Sequence, residues 1–181
     1  MGGNLAKIPI VNNAARNMGS AVWVNGDLVE SYTIASNICT GTSTETRNWN
    51  GVDFCPGIEL ANGATAWNLI IHGNSFSDGI IREARSAGDD PEKNCFFNCL
   101  MSNPEEVYGE GNFSGDPLFR NPEKIDFHIK STSPCKNAGL VLDWMTPGTT
   151  DLDDNQRVFE GTPDLGCYEN VTFSGTMLLL R

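Results

Sequence analysis

A degenerate internal repeat constrains this chain more than any single motif. Val22-Trp23-Val24-Asn25-Gly26 is followed by Tyr32-Thr33-Ile34-Ala35-Ser36-Asn37. Ile58-Glu59-Leu60-Ala61-Asn62-Gly63 is followed in the same way by Leu69-Ile70-Ile71-His72-Gly73-Asn74. Each copy reads as an alternating strand, a Gly turn, a second short strand and a terminal Asn. Ile8-Pro9-Ile10-Val11-Asn12-Asn13 is a partial copy, and Asn94-Cys95-Phe96-Phe97-Asn98 aligns with Asn68-Leu69-Ile70-Ile71-His72. Strands this short carry too few apolar residues to make a core alone, so the repeats must stack on one another. Asn13, Asn37 and Asn74 then fall in register and are expected to hydrogen-bond as a ladder at the turns. The second step is longer than the first, and the excess falls in the polar stretch from Thr40 to Phe54, which reads as a loop inserted between strands.

Elsewhere the punctuation is dense, with 19 glycines in 181 residues. Ile80-Ile81-Arg82-Glu83-Ala84-Arg85 reads as one helical turn, ended by Gly88 and Pro91. Ser102 to Gly115, with Pro104, Gly109 and Gly111, reads as an exposed loop. Ile125 to Lys130 alternates and predicts a half-buried strand. No apolar stretch reaches the roughly 18 residues that a transmembrane segment needs. Thr172 to Leu180 ends in consecutive leucines and is expected to cover an open apolar end of the stack.

The last third carries an ordered set of short motifs. Asp116-Pro117-Leu118-Phe119 opens it; Ser133-Pro134-Cys135, Asn137-Ala138-Gly139 and Asp143-Trp144-Met145-Thr146 follow. Asp151-Leu152-Asp153-Asp154-Asn155-Gln156-Arg157 and Asp164-Leu165-Gly166-Cys167-Tyr168-Glu169 complete it. In this order and spacing the segments resemble the C-terminal closing segment of bacterial secreted right-handed parallel β-helix proteins of the pectate-lyase-like superfamily. The resemblance implies an all-β fold, a right-handed parallel β-helix of few rungs over residues 1–115, closed by an irregular segment over 116–181. It also implies an extracellular or cell-surface location, with this chain the C-terminal part of a longer protein whose signal segment lies upstream or has been removed.

Charge narrows the partners. The chain carries a net charge of −11, which repels phosphate backbones and argues against nucleic acid. The same field disfavours polyuronates unless a divalent cation bridges the two sets of carboxylates. The six cysteines include no C-x-x-C pair, so zinc-ribbon and thioredoxin chemistry have no support. Cys135 and Cys167 stand where the resembling proteins often have a small residue, and their joint appearance in one compact segment suggests a disulfide. For Cys39, Cys55, Cys95 and Cys99 the pairing stays open, buried free thiols included.

Several residues are candidates for chemistry. Asp151, Asp153 and Asn155 alternate as calcium ligands do, but the loop lacks the Gly and Glu of the full pattern. The resembling proteins carry D-x-D-G-N-x-R here, and its carboxylates fix turns by bonding backbone amides. Calcium is possible, and no cofactor is required. Arg82, Arg85, Asp89 and Asp90 are close enough in sequence to serve a calcium-dependent lyase. The N-T-D, D-D, G-H-G and R-I-K set of polygalacturonases is not reproduced, so the resemblance transfers no catalytic role. Trp23, Trp49 and Trp67 fall in polar surroundings or on the outer side of an alternating strand, where an indole either stacks on a sugar face or is covered by a neighbouring loop. Asn112-Phe113-Ser114 and Asn170-Val171-Thr172 fit the glycosylation sequon. The expected function is a non-catalytic extracellular module that binds a polysaccharide or cell-surface glycan. The alternative is a polysaccharide lyase or glycoside hydrolase.

Overall fold

The computed structural model of the protein describes residues 5–6, 8–15, 21–39, 55–87 and 90–172. The first strands are β1 (Leu5–Ala6), β2 (Pro9–Val11), β3 (Ala14–Ala15) and β4 (Val22–Asn25). Then come β5 (Leu28–Glu30), β6 (Thr33–Ala35), β7 (Ile38–Cys39) and β8 (Ile58–Ala61). They are followed by β9 (Thr65–Trp67), β10 (Ile70–His72), β11 (Ser75–Phe76), β12 (Ala84–Ser86) and β13 (Cys95–Phe97). The last are β14 (Phe119–Asn121) and β15 (Asp126–Ile129). Among the described residues there is no α-helix, and no helix long and apolar enough to cross a membrane.

Every fourth strand shares a sheet. One sheet has the order β1-β5-β9-β13, and the others join β2-β6-β10, β3-β7-β11 and β4-β8-β12. All these pairings are parallel. The protein is thus all-β and built mainly of parallel sheets, a topology compatible with a β-helix.

The asparagines set the register, as the repeat predicts. Asn13 Nδ2 donates to Asn37 Oδ1 at 3.0 Å, 24 residues on. Asn37 Nδ2 donates to Asn74 Oδ1 at 2.8 Å, 37 residues on. Each of these side-chain oxygens also accepts a backbone N–H, from Asn13 and Asn37 respectively. The ladder thereby satisfies polar groups that burial would otherwise leave unpaired. Before it the chain turns through the left-handed region at Asn12, Ser36 and Gly73, one above another. A second left-handed corner stacks Ser31, Asn68 and Asn98. Asn and Gly tolerate that conformation better than other residues.

Alternation does the rest. Ile34, Ile58, Leu60, Leu69, Ile71, Phe96 and Met101 are fully buried in one cluster between the sheets. Each contributes about 1.5–3 kcal/mol by leaving water.

Two expectations from the sequence are corrected, and a third is extended. Asn94–Asn98 does not lie beside Asn68–His72: Cys95 pairs with Thr65 and Phe97 with Trp67. The Asn to match was the left-handed corner residue, Asn98 over Asn68, and not the ladder residue. The segment from Ile80 to Arg85 forms no helical turn. Ile81 bridges Ser75, and Ala84 and Arg85 enter β12 on the edge of β8, with Ala84 buried. Residues 102–115 are a largely exposed loop, as expected, but one that also bonds to the stack. Tyr108, Glu110 and Phe113 offer their carbonyls to the N–H groups of Phe96, Asn98 and Met101 at 2.8, 3.0 and 3.0 Å. A step of only 13 residues separates Cys99 from Asn112, whose Oδ1 accepts the Cys99 N–H. Val107 packs against the main core.

Residues 116–172 pack on the side of the β2-β6-β10 sheet. β14 and β15 form an antiparallel hairpin, and the expected half-buried strand is β15. Phe119, Phe127, Ile129, Cys135 and Leu165 cover Ala35, Ile70 and Leu100. Inside this layer Arg157 is fully buried, with Nη1 2.6 Å from Glu169 Oε1. Its Nη2 donates to the carbonyls of Asp164 and Gly166 at 3.0 and 2.9 Å. The Asp164 carboxylate accepts the N–H groups of Asn137 and Asn170 at 2.7 and 2.6 Å.

Candidate functional site

Alternation along β4, β8 and β12 sends Val24, Ile58, Leu60 and Ala84 to the core and leaves Trp23, Glu59 and Arg85 on the outer side. Parallel pairing places Glu59 directly opposite both Trp23 and Arg85. With strands about 4.8 Å apart, the three side chains form one row across the sheet. Trp23 is 63% exposed, the most open of the described tryptophans. Arg85 Nη1 lies 3.5 Å from Glu59 Oε2. Burial pushes the Glu59 carboxyl up from the usual range, and the Arg85 charge pulls it back only in part. Arg82 sits over the Phe76 ring at 5.9 Å. Together with Ala84, Arg85 and Glu106 it lines a small concavity of 210 Å³.

The β5-β9-β13 sheet presents a different row, Glu30, Trp67 and Phe97. Trp67 and Phe97 are stacked, centroids 4.1 Å apart and planes 19° from parallel. One face of the Trp67 indole is therefore taken by Phe97. Burial pushes the Glu30 carboxyl up; the nearby Trp144 indole opposes the rise and Asp143 adds to it. The row reads as a packed ladder more than as a platform for a ligand.

The other sequence candidates are dispersed. Asp90 pairs with Lys93 at 2.6 Å and lines a separate concavity with Asn62, Gly63 and Ala87. Of the proposed catalytic set, then, Arg82 and Arg85 come together and Asp90 does not join them. Asp89 and Trp49 lie outside the described residues, as do the Thr40–Phe54 insertion and residues 173–180.

Asp151 uses its carboxylate on the chain itself. Oδ1 accepts the N–H groups of Asp153 and Asn155 at 2.9 and 2.8 Å, and Oδ2 accepts that of Glu169 at 2.7 Å. Asn155 turns its amide N–H toward Asp151, and Asp153 Oδ2 lies 2.6 Å from His128 Nε2. These polar atoms are thus engaged within the chain, and among the described residues no group of three or more His, Cys, Asp or Glu is arranged to hold a metal ion. His128 bridges Asp126 and Asp153 and rests against Tyr168, a linking role between β15 and this turn.

The expected disulfide is not formed. Cys135 and Cys167 are buried free thiols, and Cys167 Sγ bonds instead to Thr33 Oγ1 at 3.3 Å. Burial pushes them up to about 12 and about 11, which keeps them protonated and unreactive. Neither sequon offers a free amide: Asn112 Nδ2 donates to Phe96 O and Asn170 Nδ2 to Ile129 O, both at 2.8 Å.

Reasoning from sequence missed Glu59. Its signal was present, because aligning Val22-Trp23-Val24 with Ile58-Glu59-Leu60 puts the carboxylate beside the indole. No family model, curated protein or solved structure matches the chain.

Proposed function

We propose that the protein is a right-handed parallel β-helix module of an extracellular or cell-surface protein that binds glycans without transforming them. The parallel, every-fourth-strand pairing supports the architecture. Crossovers between parallel strands are right-handed in nearly all proteins, which supports the hand. The observation that carries the binding function is the row Trp23–Glu59–Arg85. It sets an exposed apolar ring beside hydrogen-bonding groups of both kinds, held on sheet strands and not on a loop.

Lyase or hydrolase chemistry is the second reading, favoured by Arg82 and Arg85 sharing a concavity with Glu106. Incubating the purified protein with plant and microbial polysaccharides in calcium, and assaying new reducing ends, separates the two. We expect no release. Release from any polysaccharide that Arg85→Ala abolishes would overturn the non-catalytic reading.

A further inference from the structure

We infer that the glycan taken by the Trp23–Glu59–Arg85 row is uncharged, a neutral hexose or pentose polymer and not a polyuronate; this rests on the glycan-binding reading above. Sugar hydroxyls both donate and accept. The row matches that with a carboxylate that accepts only and a guanidinium that donates only. Glu59 and Arg85 face each other at 3.5 Å, so the row offers the ligand no uncompensated charge. A uronate carboxylate approaching Arg85 would have to displace Glu59, and it would meet Glu106 in the adjoining concavity. Around it stands a chain with net charge −11, which adds repulsion at low salt.

The apolar side fits the same class. Trp23, 63% exposed, presents ring surface to the C–H face of a pyranose. From Trp23 to Arg85 is two strand spacings, about 10 Å, close to the length of a disaccharide. One unit stacks on the indole while hydroxyls of the next reach Arg85, whose side chain is 25% exposed, and the 10% of the Glu59 side chain that stays open beside it.

Affinity electrophoresis tests the inference. Native gels would contain mixed-linkage glucan, glucomannan, xylan or polygalacturonate, and the proteins would be the wild type, Trp23→Ala, Glu59→Gln and the distant Asp90→Ala. Melting curves confirm that each variant is folded. At least one uncharged polysaccharide should retard the wild type and Asp90→Ala in both low salt and 0.5 M NaCl. Trp23→Ala should weaken that retardation about tenfold or more, and Glu59→Gln should weaken it too. Retardation by polygalacturonate alone, lost in salt, overturns the uncharged class while leaving glycan binding intact. Undiminished retardation of Trp23→Ala overturns the site. Silence of the wild type across all four gels overturns the glycan-binding reading itself.

Discussion

Asn68 and Leu140, 72 residues apart, exchange two hydrogen bonds of 2.8 Å. Asn68 Nδ2 donates to the Leu140 carbonyl, and the Leu140 N–H returns one to Asn68 Oδ1. Asn68 also sits at a left-handed corner with φ 57° and is fully buried. One side chain therefore shapes a turn of the parallel sheets and fastens the 116–172 layer to it.

Removing it separates these roles. Asn68→Gly keeps the corner and loses both bonds, which should cost about 2 kcal/mol. Asn68→Ala adds left-handed strain of about 1 kcal/mol on top. Urea denaturation checks the order wild type, Gly, Ala; equal stability of the Gly and Ala variants would show that the corner does not need its residue.

Gly109 tests the 13-residue step in the same manner. A Cβ there would lie 1.8 Å from the Phe96 carbonyl oxygen, at φ +116°. Backbone must move, so Gly109→Ala should destabilise by several kcal/mol, at the upper end for point changes. Gly63, at φ +83° with nothing within 4 Å of its added Cβ, serves as the comparison. Its Ala variant should cost about 1 kcal/mol, from conformation alone. Thermal melts of the two proteins, side by side, give the contrast.

Gly109 and its neighbour Gly111 also explain what was hidden in the sequence. The Asn13–Asn37–Asn74 register was legible because identical side chains recur at the same place in each repeat. Gly109 and Gly111 read as loop residues because close approach to Phe96 and Asn98 leaves no local mark. Ala84-Arg85-Ser86 is too short for alternation to show, so Ile80–Arg85 mimicked a helix. The site followed the register: Trp23 was placed outside by its flanking valines, whereas Phe97 beside Trp67 appears only once Asn98 is set over Asn68. Cys135 and Cys167 share a segment, yet Cys167 Sγ turns to Thr33, a long-range contact no spacing announces.

Asp154 stands where the D-x-D-G-N-x-R pattern has Gly, and its φ is +64°. Asp tolerates this region better than most residues, but glycine enters it without steric cost. The side chain is exposed, so little else is lost on replacement. Asp154→Gly should stabilise the protein by about 0.5 kcal/mol, less than the full strain because glycine also loosens the unfolded chain. A small rise in urea midpoint at unchanged slope is the expected result, and a fall would mean that Asp154 makes a contact worth more than its strain.

The buried carboxyls set the pH response. Burial pushes Glu169 up to about 8 from 4.5, against the pull of Arg157. Burial likewise raises Glu83, although it accepts the Gly73 and Ser102 N–H groups, and it raises Asp164 and Glu59. A carboxyl whose folded pKa exceeds its unfolded one binds more protons in the folded state. Its stabilisation is complete below about 4.5 and is lost as pH rises through the folded value. His72, lowered by burial, acts oppositely, favouring the folded state as pH rises toward its unfolded value of 6.5. Five raised carboxyls, with Glu30 the fifth, oppose one histidine. The melting temperature should therefore fall from pH 5 to pH 8, on the order of 5 °C. In Glu169→Gln the slope above pH 6 should flatten, since that side chain no longer titrates; a slope equal to the wild type would place the titration elsewhere in the Asp164–Arg157 cluster.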